Sequence, residues 1–229
     1  MKKIISLFRN QDFNKSYSQC GEDIIIEFIF KNLLKIRNPT FMDIGANHPK
    51  KFNNTYIFYR SGSRGINIDP NIDSIKLFKK YRSKDINLNL GIGKEKTVKT
   101  LYIFENSMLN TFDENTAKIQ GGIISKKEIV ICHISEIVNK YFNFNFPDFL
   151  TLDAEGMDLE ILQSINFNNS NFNIPKLICV ETIQKTGNST WVKDFELIDF
   201  VKQMGYIHHS DTFINSIFIH PHFLKVKID

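Results

Sequence analysis

Apolar residues recur along this chain in two rhythms. Five short blocks are Thr40-Phe41-Met42-Asp43-Ile44, Ile66-Asn67-Ile68-Asp69, Ile86-Asn87-Leu88-Asn89-Leu90, Phe149-Leu150-Thr151-Leu152-Asp153 and Leu177-Ile178-Cys179-Val180-Glu181. Each is short, apolar and rich in strand formers, and turn residues bound several of them, which predicts strands of a buried sheet. Between the blocks the spacing becomes helical. Ile24, Ile25, Phe28, Ile29, Leu33 and Leu34 share one face over 19–34, behind Glu22 and Asp23 in the first turn, where the helix dipole favours acids. Ile72, Ile75, Leu77 and Phe78 do the same over 71–82. Shorter helices are predicted near 55–60, 135–141 and 159–165. A longer one is predicted over 191–204, capped by Asn188-Ser189-Thr190 and ended by Gly205. Tyr206–His209 and Ser216–His220 read as a terminal strand pair.

Strands that alternate with helices predict an α/β fold with a mostly parallel, doubly wound sheet. The stretch 91–133 breaks the alternation. Val98–Phe104 and Glu128–Cys132 read as strands around a loop, Ser107–Gly122, and predict a hairpin-like insertion around 98–125. The organisation is then an N-terminal segment, 1–16, and one domain, 17–229.

Composition narrows the class. The chain has 229 residues, 42% of them hydrophobic and 24% charged, with a formal charge of +4. That is enough apolar content for a real core, and the mild charge demands no nucleic-acid partner. The basic clusters Lys50–Lys51, Lys79–Arg82 and Lys126–Lys127 read as solvated faces. Cys20, Cys132 and Cys179 are too scattered for a disulfide framework or a zinc site. They point to a reducing compartment, hence the cytoplasm. The N-terminus begins like a signal peptide, but its apolar run is short and Arg9 interrupts it. No run approaches the ~20 apolar residues of a membrane span. The oligomeric state stays open, a homodimer included.

Ligands of open α/β sheets bind at the carboxyl ends of the strands, which singles out three segments. In Asp43-Ile44-Gly45-Ala46-Asn47-His48-Pro49 a turn of small residues lets backbone approach a ligand, and His48 is a candidate base. The turn lacks the GxGxxG pattern of a dinucleotide site, since Asn47 and Lys50 stand at the later positions. Asp69, before Pro70, lies where an acid would hold a ribose diol, or else caps the next helix. Asp153 and Glu155 close the fourth core strand and Glu181 the fifth, making an acidic patch. One of these carboxyls can act as a base with a raised pKa, or Asp153 and Glu181 can share a divalent cation. His208, His209, His220 and His222 read as surface residues.

Seven motifs appear in order: Tyr17-Ser18-Gln19-Cys20-Gly21-Glu22-Asp23, Asp43-Ile44-Gly45-Ala46-Asn47, Asn54-Thr55-Tyr56, Gly65-Ile66-Asn67-Ile68-Asp69-Pro70, Leu109-Asn110-Thr111-Phe112, Asp153-Ala154-Glu155-Gly156 and Ile178-Cys179-Val180-Glu181-Thr182. Over residues 17–220 the chain resembles the FkbM-type methyltransferases. The resemblance implies a class I, Rossmann-like methyltransferase fold: a seven-stranded, mostly parallel sheet with helices on both faces and an antiparallel terminal strand. It also implies S-adenosylmethionine as cofactor and O-methylation of sugars or polyketide-like hydroxyls. By position, Asp43, Gly45, Ala46 and Asn47 would hold the methionine part, and Asp69 the ribose. Asn89 and Gly91 would border the adenine, Gln19 and Glu22 would close the pocket, and Asp153 and Glu155 would face the methyl. Asn54, Thr55 and Pro70 count among the cofactor residues as well. Many members carry a further Gly where this chain has His48-Pro49.

The reaction these features imply is a displacement in which an acceptor hydroxyl attacks the sulfonium methyl. Asp153 is the first candidate for base, ahead of Glu155, Glu181 and His48. Asn110-Thr111-Phe112 with Tyr102 and Phe104 would border the acceptor, a small molecule or saccharide. Two rival readings remain: a nucleotide-dependent oxidoreductase or epimerase, and a non-catalytic module that keeps the fold.

Overall fold

The computed structural model describes residues 15–106, 109–154, 156–167, 173–186 and 190–226. Helix α1 (Glu22–Phe28) runs on into a π-helical turn, Ile29–Leu34, and leads to strand β1 (Phe41–Ile44). Helix α2 (Tyr56–Ser61), strand β2 (Gly65–Ile68), helix α3 (Ile72–Tyr81) and strand β3 (Ile86–Leu88) complete the first half. Then come β4 (Gly91–Gly93), β5 (Thr97–Ile103), α4 (Glu114–Gln120), β6 (Ser125–His133) and α5 (Ile134–Phe142). The second half is β7 (Phe149–Leu152), α6 (Asp158–Gln163), β8 (Leu177–Glu181), β9 (Ile183–Thr186), β10 (Thr190–Lys193), α7 (Phe195–Gln203), β11 (Ile207–Asp211) and β12 (Asn215–Ile219).

The main sheet has seven strands in the order β11-β12-β8-β7-β1-β2-β3. Strands β3, β2, β1, β7 and β8 are mutually parallel. The last strand, β12, pairs antiparallel with β8 and with β11, so it lies one place in from the edge. This is the mostly parallel, Rossmann-like sheet that the strand and helix rhythm and the family resemblance imply. The four residues of β1, β2 and β7 are buried throughout. That is why their sequences run apolar instead of alternating.

The pleat sorts side chains into two cores. Met42, Ile44, Ile66, Ile68, Leu150, Leu152, Ile178 and Val180 face the layer of α5, α6 and α7. Phe41, Phe149, Leu177, Cys179, Ile217 and Ile219 face Ile26, Ile29, Phe30 and Leu34 of the first helix, with Phe58 of α2. Rings of Phe30, Phe58 and Phe149 meet edge to face with centroids 5.8–6.1 Å apart, which fixes this helical layer on the sheet. On the same face, register aligns Asn67, Asp43, Thr151 and Cys179 in one row across β2, β1, β7 and β8. The apolar blocks therefore carry a polar stripe just below the strand ends.

Three features depart from the sequence reading. Residues 114–120 form a helix where a loop was expected. Asp113 caps it by accepting from the Thr116 amide (2.6 Å), and only Ala117 of the helix is buried, so no apolar period marks it. The helix placed at 191–204 begins at Phe195, because the Asp194 side chain takes the Leu197 amide (2.9 Å). Residues 190–193 are instead a strand paired antiparallel with β9, while Asn188 and Ser189 lie outside the described residues. Arg82, read as part of a solvated basic cluster, is fully buried. The stretch 91–133 forms a second sheet, β4-β6-β5, standing against the first.

Candidate active site

The carboxyl ends of β1, β2 and β7 meet at one cavity. Its lining includes Gly45, Asn47, Asp69, Pro70, Gly91 and Asp153, all singled out in the sequence. Gly45 takes a left-handed backbone, φ 75°, and a Cβ on it would lie 1.7 Å from the Asp153 carbonyl oxygen. Here glycine is required by the loop after β7 crossing directly over the loop after β1. The Gly45 and Ala46 amides both donate to the Ile68 carbonyl (3.0 and 3.1 Å), and the Asp153 amide donates to that of Ile44 (3.0 Å). The turn is thus locked to both neighbouring strands.

Asp69 ties the next two loops together. Its Oδ2 accepts from the Asn47 amide and its Oδ1 from the Asn71 amide, both at 2.7 Å. Each carboxylate oxygen keeps further acceptor capacity toward the cavity. The helix-capping role falls to Asn71, whose side chain accepts from the Asp73 amide (3.0 Å). Asn89 does not line the cavity. It holds the carbonyls of Asp69 and Pro70 from behind, at 3.0 and 2.8 Å. Burial raises the Asp69 pKa to about 6 against the pull of its two amide bonds, and the Asp43 carboxylate adds to the rise.

The acids of β7 and β8 converge. Asp153 and Glu181 lie within side-chain hydrogen-bond reach of each other, a contact that pulls the Asp153 pKa down. Asp153 is exposed toward the cavity that it lines. Desolvation by the protein atoms packed around it raises its pKa, and repulsion from Asp43 and Asp69 raises it further. Asp158, buried at the start of α6, accepts from the Ala154 amide (2.9 Å). Burial and the neighbouring Asp153 push its pKa to about 7. Nothing in the sequence pattern singles out Asp158 as a neighbour of Asp153 in the site. Glu155 lies outside the described residues. Among the described residues, no three His, Cys, Asp or Glu side chains converge as a metal site would require.

Other candidates sit beside this cavity and do not line it. Asp43 points to the opposite face of the sheet, where Thr55 and Asn53 donate to its Oδ2 (2.7 and 3.0 Å). Arg82 donates to Thr55 and Asn53 in turn (2.9 and 3.0 Å) and pairs with Asp85 at 2.9 Å, with neither side chain exposed. Asp43 therefore organises the loop 53–55 through a buried charge network. Asn54 donates to Thr151 (3.1 Å). Glu22 is buried and accepts from Thr212, Asn215 and the Cys20 amide at 2.7–3.0 Å, bonds that hold its pKa below the usual range despite its burial. Gln19 is exposed. His48 accepts from the Lys50 and Lys51 amides through Nδ1 (3.1 and 3.0 Å), which makes it the keystone of its own turn.

The second sheet supplies the remaining wall. Leu101, Asn110 and Phe112 line the cavity. A Cβ on Gly91 would lie 3.4 Å from Phe112 and 2.5 Å from Ile131, so a larger residue there would displace this wall. Phe112 thus stands against the residue expected to border an adenine. Two carboxylates, Asp69 and Asp153, line the cavity, and no lysine or arginine does so among the described residues. The Lys99 ammonium ends 3.5 Å from Sδ of Met157, another lining residue.

Comparison with known proteins follows the same line. A family model described as the Methyltransferase FkbM domain matches residues 43–207. No curated protein matches. Among solved structures, methyltransferase FkbM from Methylobacillus flagellatus KT is 13% identical with a TM-score of 0.41 over 80% of this chain. This chain spans 44% of that protein's length. A TehB-like SAM-dependent methyltransferase from Corynebacterium glutamicum is 11% identical with a TM-score of 0.45, over 96% of this chain and 97% of that one.

Proposed function

The chain belongs to the FkbM methyltransferase family, and from that premise we propose that it moves a methyl group from S-adenosylmethionine to a hydroxyl of a sugar or glycan. The observation that carries this reading is the charge of the cavity. Its ionisable lining is Asp69 and Asp153, and Glu181, Asp158 and Asp43 stand close behind. A group of carboxylates in a partly desolvated site favours a permanent cation, and a sulfonium is one.

The residues present fit that cofactor, which when bound supplies an electrophilic methyl group. The turn Gly45-Ala46-Asn47 brings backbone close enough to hold the amino-acid end. Asp69, already steered by two amides, turns its remaining lone pairs to the ribose hydroxyls. Pro70, Gly91 and Phe112 flank the base. Asp153 takes the proton of the acceptor hydroxyl, and its raised pKa brings it nearer the working range of a general base. Glu181, within hydrogen-bond reach, orients the Asp153 carboxyl group. Water is kept out by the apolar wall of Leu101, Phe112 and Met157. The saccharide part of the reading follows the family resemblance, and the hydroxyl follows from the carboxyl pair.

The cysteines Cys20, Cys132 and Cys179 are all free, which suits the cytoplasmic reading. No helix among the described residues is long and apolar enough to cross a membrane. Transfer of isotope from labelled cofactor to a panel of glycans, nucleotide sugars and sugar phosphates tests the proposal. A base-stable methyl ether on a sugar supports it. A base-labile ester or an N-methyl product contradicts it.

A further inference from the structure

A second cleft is formed by the loop that follows Asn47 and the segment before α1. It is lined by Tyr17, Phe52 and Tyr56 and by Lys15, Lys50 and Lys51. The aromatic part is built, not incidental. Tyr17 and Tyr56 meet edge to face at 4.8 Å, and Arg60 donates to the Tyr17 hydroxyl. The Asn53 amide donates to the Tyr17 carbonyl (3.0 Å), which ties the segment before α1 to this loop. Phe52 is 59% exposed and holds φ at 50°, a left-handed backbone that a bulky side chain adopts only when its surroundings impose it.

The charge of this cleft is opposite to that of the cavity. Among the described residues no carboxylate lines it, and none of its three ammonium groups forms an ion pair. Lys50 rests over the Tyr81 ring at 3.8 Å. His48 feels the same field. Burial lowers its pKa, and Lys51 and Lys50 lower it further. The cleft also reaches the reacting acids through the chain. Asn54, between Phe52 and Tyr56, donates to Thr151, two residues before Asp153. One loop therefore separates an acidic cavity from a basic, aromatic cleft.

We propose that the cleft holds the anionic part of the acceptor, a saccharide bearing a phosphate or a carboxylate. The sugar ring lies on Phe52 and Tyr56, and its charge lies against Lys50 and Lys51. Aromatic faces hold the apolar side of a pyranose, and paired ammonium groups hold the anion. This inference rests on the methyl-transfer reading and names the class of its acceptor.

The test is calorimetry on the full chain saturated with S-adenosylhomocysteine, titrated in turn with glucose 1-phosphate, glucuronic acid and glucose. At low salt at least one charged sugar binds about tenfold or more tightly than glucose, and added salt closes the gap. Which charged sugar binds separates phosphate from carboxylate. Replacing both Lys50 and Lys51 by alanine lowers that affinity about tenfold, and Phe52→Ala lowers it several-fold. Both variants keep their affinity for S-adenosylhomocysteine, which shows that they fold. The proposal is overturned if neither charged sugar outbinds glucose, or if the variants bind them as the unaltered protein does. If S-adenosylhomocysteine itself does not bind, the methyl-transfer reading fails instead, and the sugar titrations without it still decide the cleft.

Discussion

The carbonyl oxygen of Asp153 occupies the space that a side chain on Gly45 would need, 1.7 Å from where its Cβ would lie. The two strand ends that frame the cavity are therefore packed backbone to backbone. Gly45→Ala adds that clash to a left-handed backbone, φ 75°. It should cost on the order of 3 kcal/mol or more and abolish cofactor binding. Chemical denaturation with a binding titration checks both, and an alanine variant of unchanged stability would show that the loops are not locked.

Arg82 has no exposed surface and shares a charge pair with Asp85 while donating to Asn53 and Thr55. Arg82→Met leaves Asp85 buried without its partner and frees the residues that hold Asp43. A loss of about 3–5 kcal/mol is expected from urea unfolding. A loss near zero would mean that the network is not stabilising.

Asp158 should make the protein less stable as the medium becomes less acidic. Its folded pKa, about 7, is raised above the ordinary carboxylate value by burial first and by Asp153 second. Between those two values the folded state binds more protons than the unfolded chain, so stability falls as pH rises through this window. The penalty is absent below the ordinary value and complete above about 7. Asp158→Asn keeps an acceptor for the Ala154 amide and removes the charge, so it flattens the slope and gains a few kcal/mol at neutral pH. Melting curves across the window decide this, and an unchanged slope would contradict it.

The same acids should set a preference between the two forms of the cofactor. S-adenosylmethionine and S-adenosylhomocysteine differ by a methyl group and one positive charge. Asp69, with a pKa of about 6, and Asp153, raised by burial, ionise as pH climbs. The ratio of affinities should therefore shift toward the sulfonium form between about pH 5 and about pH 8. A flat ratio from paired titrations would remove the acids from cation binding.

Much of this was legible in the sequence because parallel strands buried on both faces leave continuous apolar blocks. Their ends also mark where ligands bind, which is how Gly45, Asp69 and Asp153 could be named together. What escaped depends on distant partners. Arg82 sits beside Lys79 and Lys80 in the chain, but its burial is set by Asn53 and Thr55 from another loop. Asp43 lies inside β1, one residue before its end, and is drawn into the buried network of Asn53 and Thr55, whereas Asp153 lies just past the end of β7 and lines the cavity. The hairpin of β9 and β10 was hidden because Trp191 and Val192 suit a helix face as well as a strand, and Asp194 decided where the helix starts. Asp158 follows Asp153 by only five residues, but spacing alone does not show that it turns back to the Ala154 amide.

The central claim is that the cavity between Gly45, Asp69 and Asp153 holds the methyl donor. Calorimetric titration of S-adenosylhomocysteine into the unaltered protein and into Asp69→Asn tests it most directly. In Asp69→Asn an amide N–H faces one of the backbone amides of Asn47 and Asn71, and one acceptor for the ribose is lost. Saturable one-to-one binding to the unaltered protein, weakened about tenfold to a hundredfold in a variant that still melts cooperatively, is the predicted result. No binding, or equal binding by both proteins, would contradict the account.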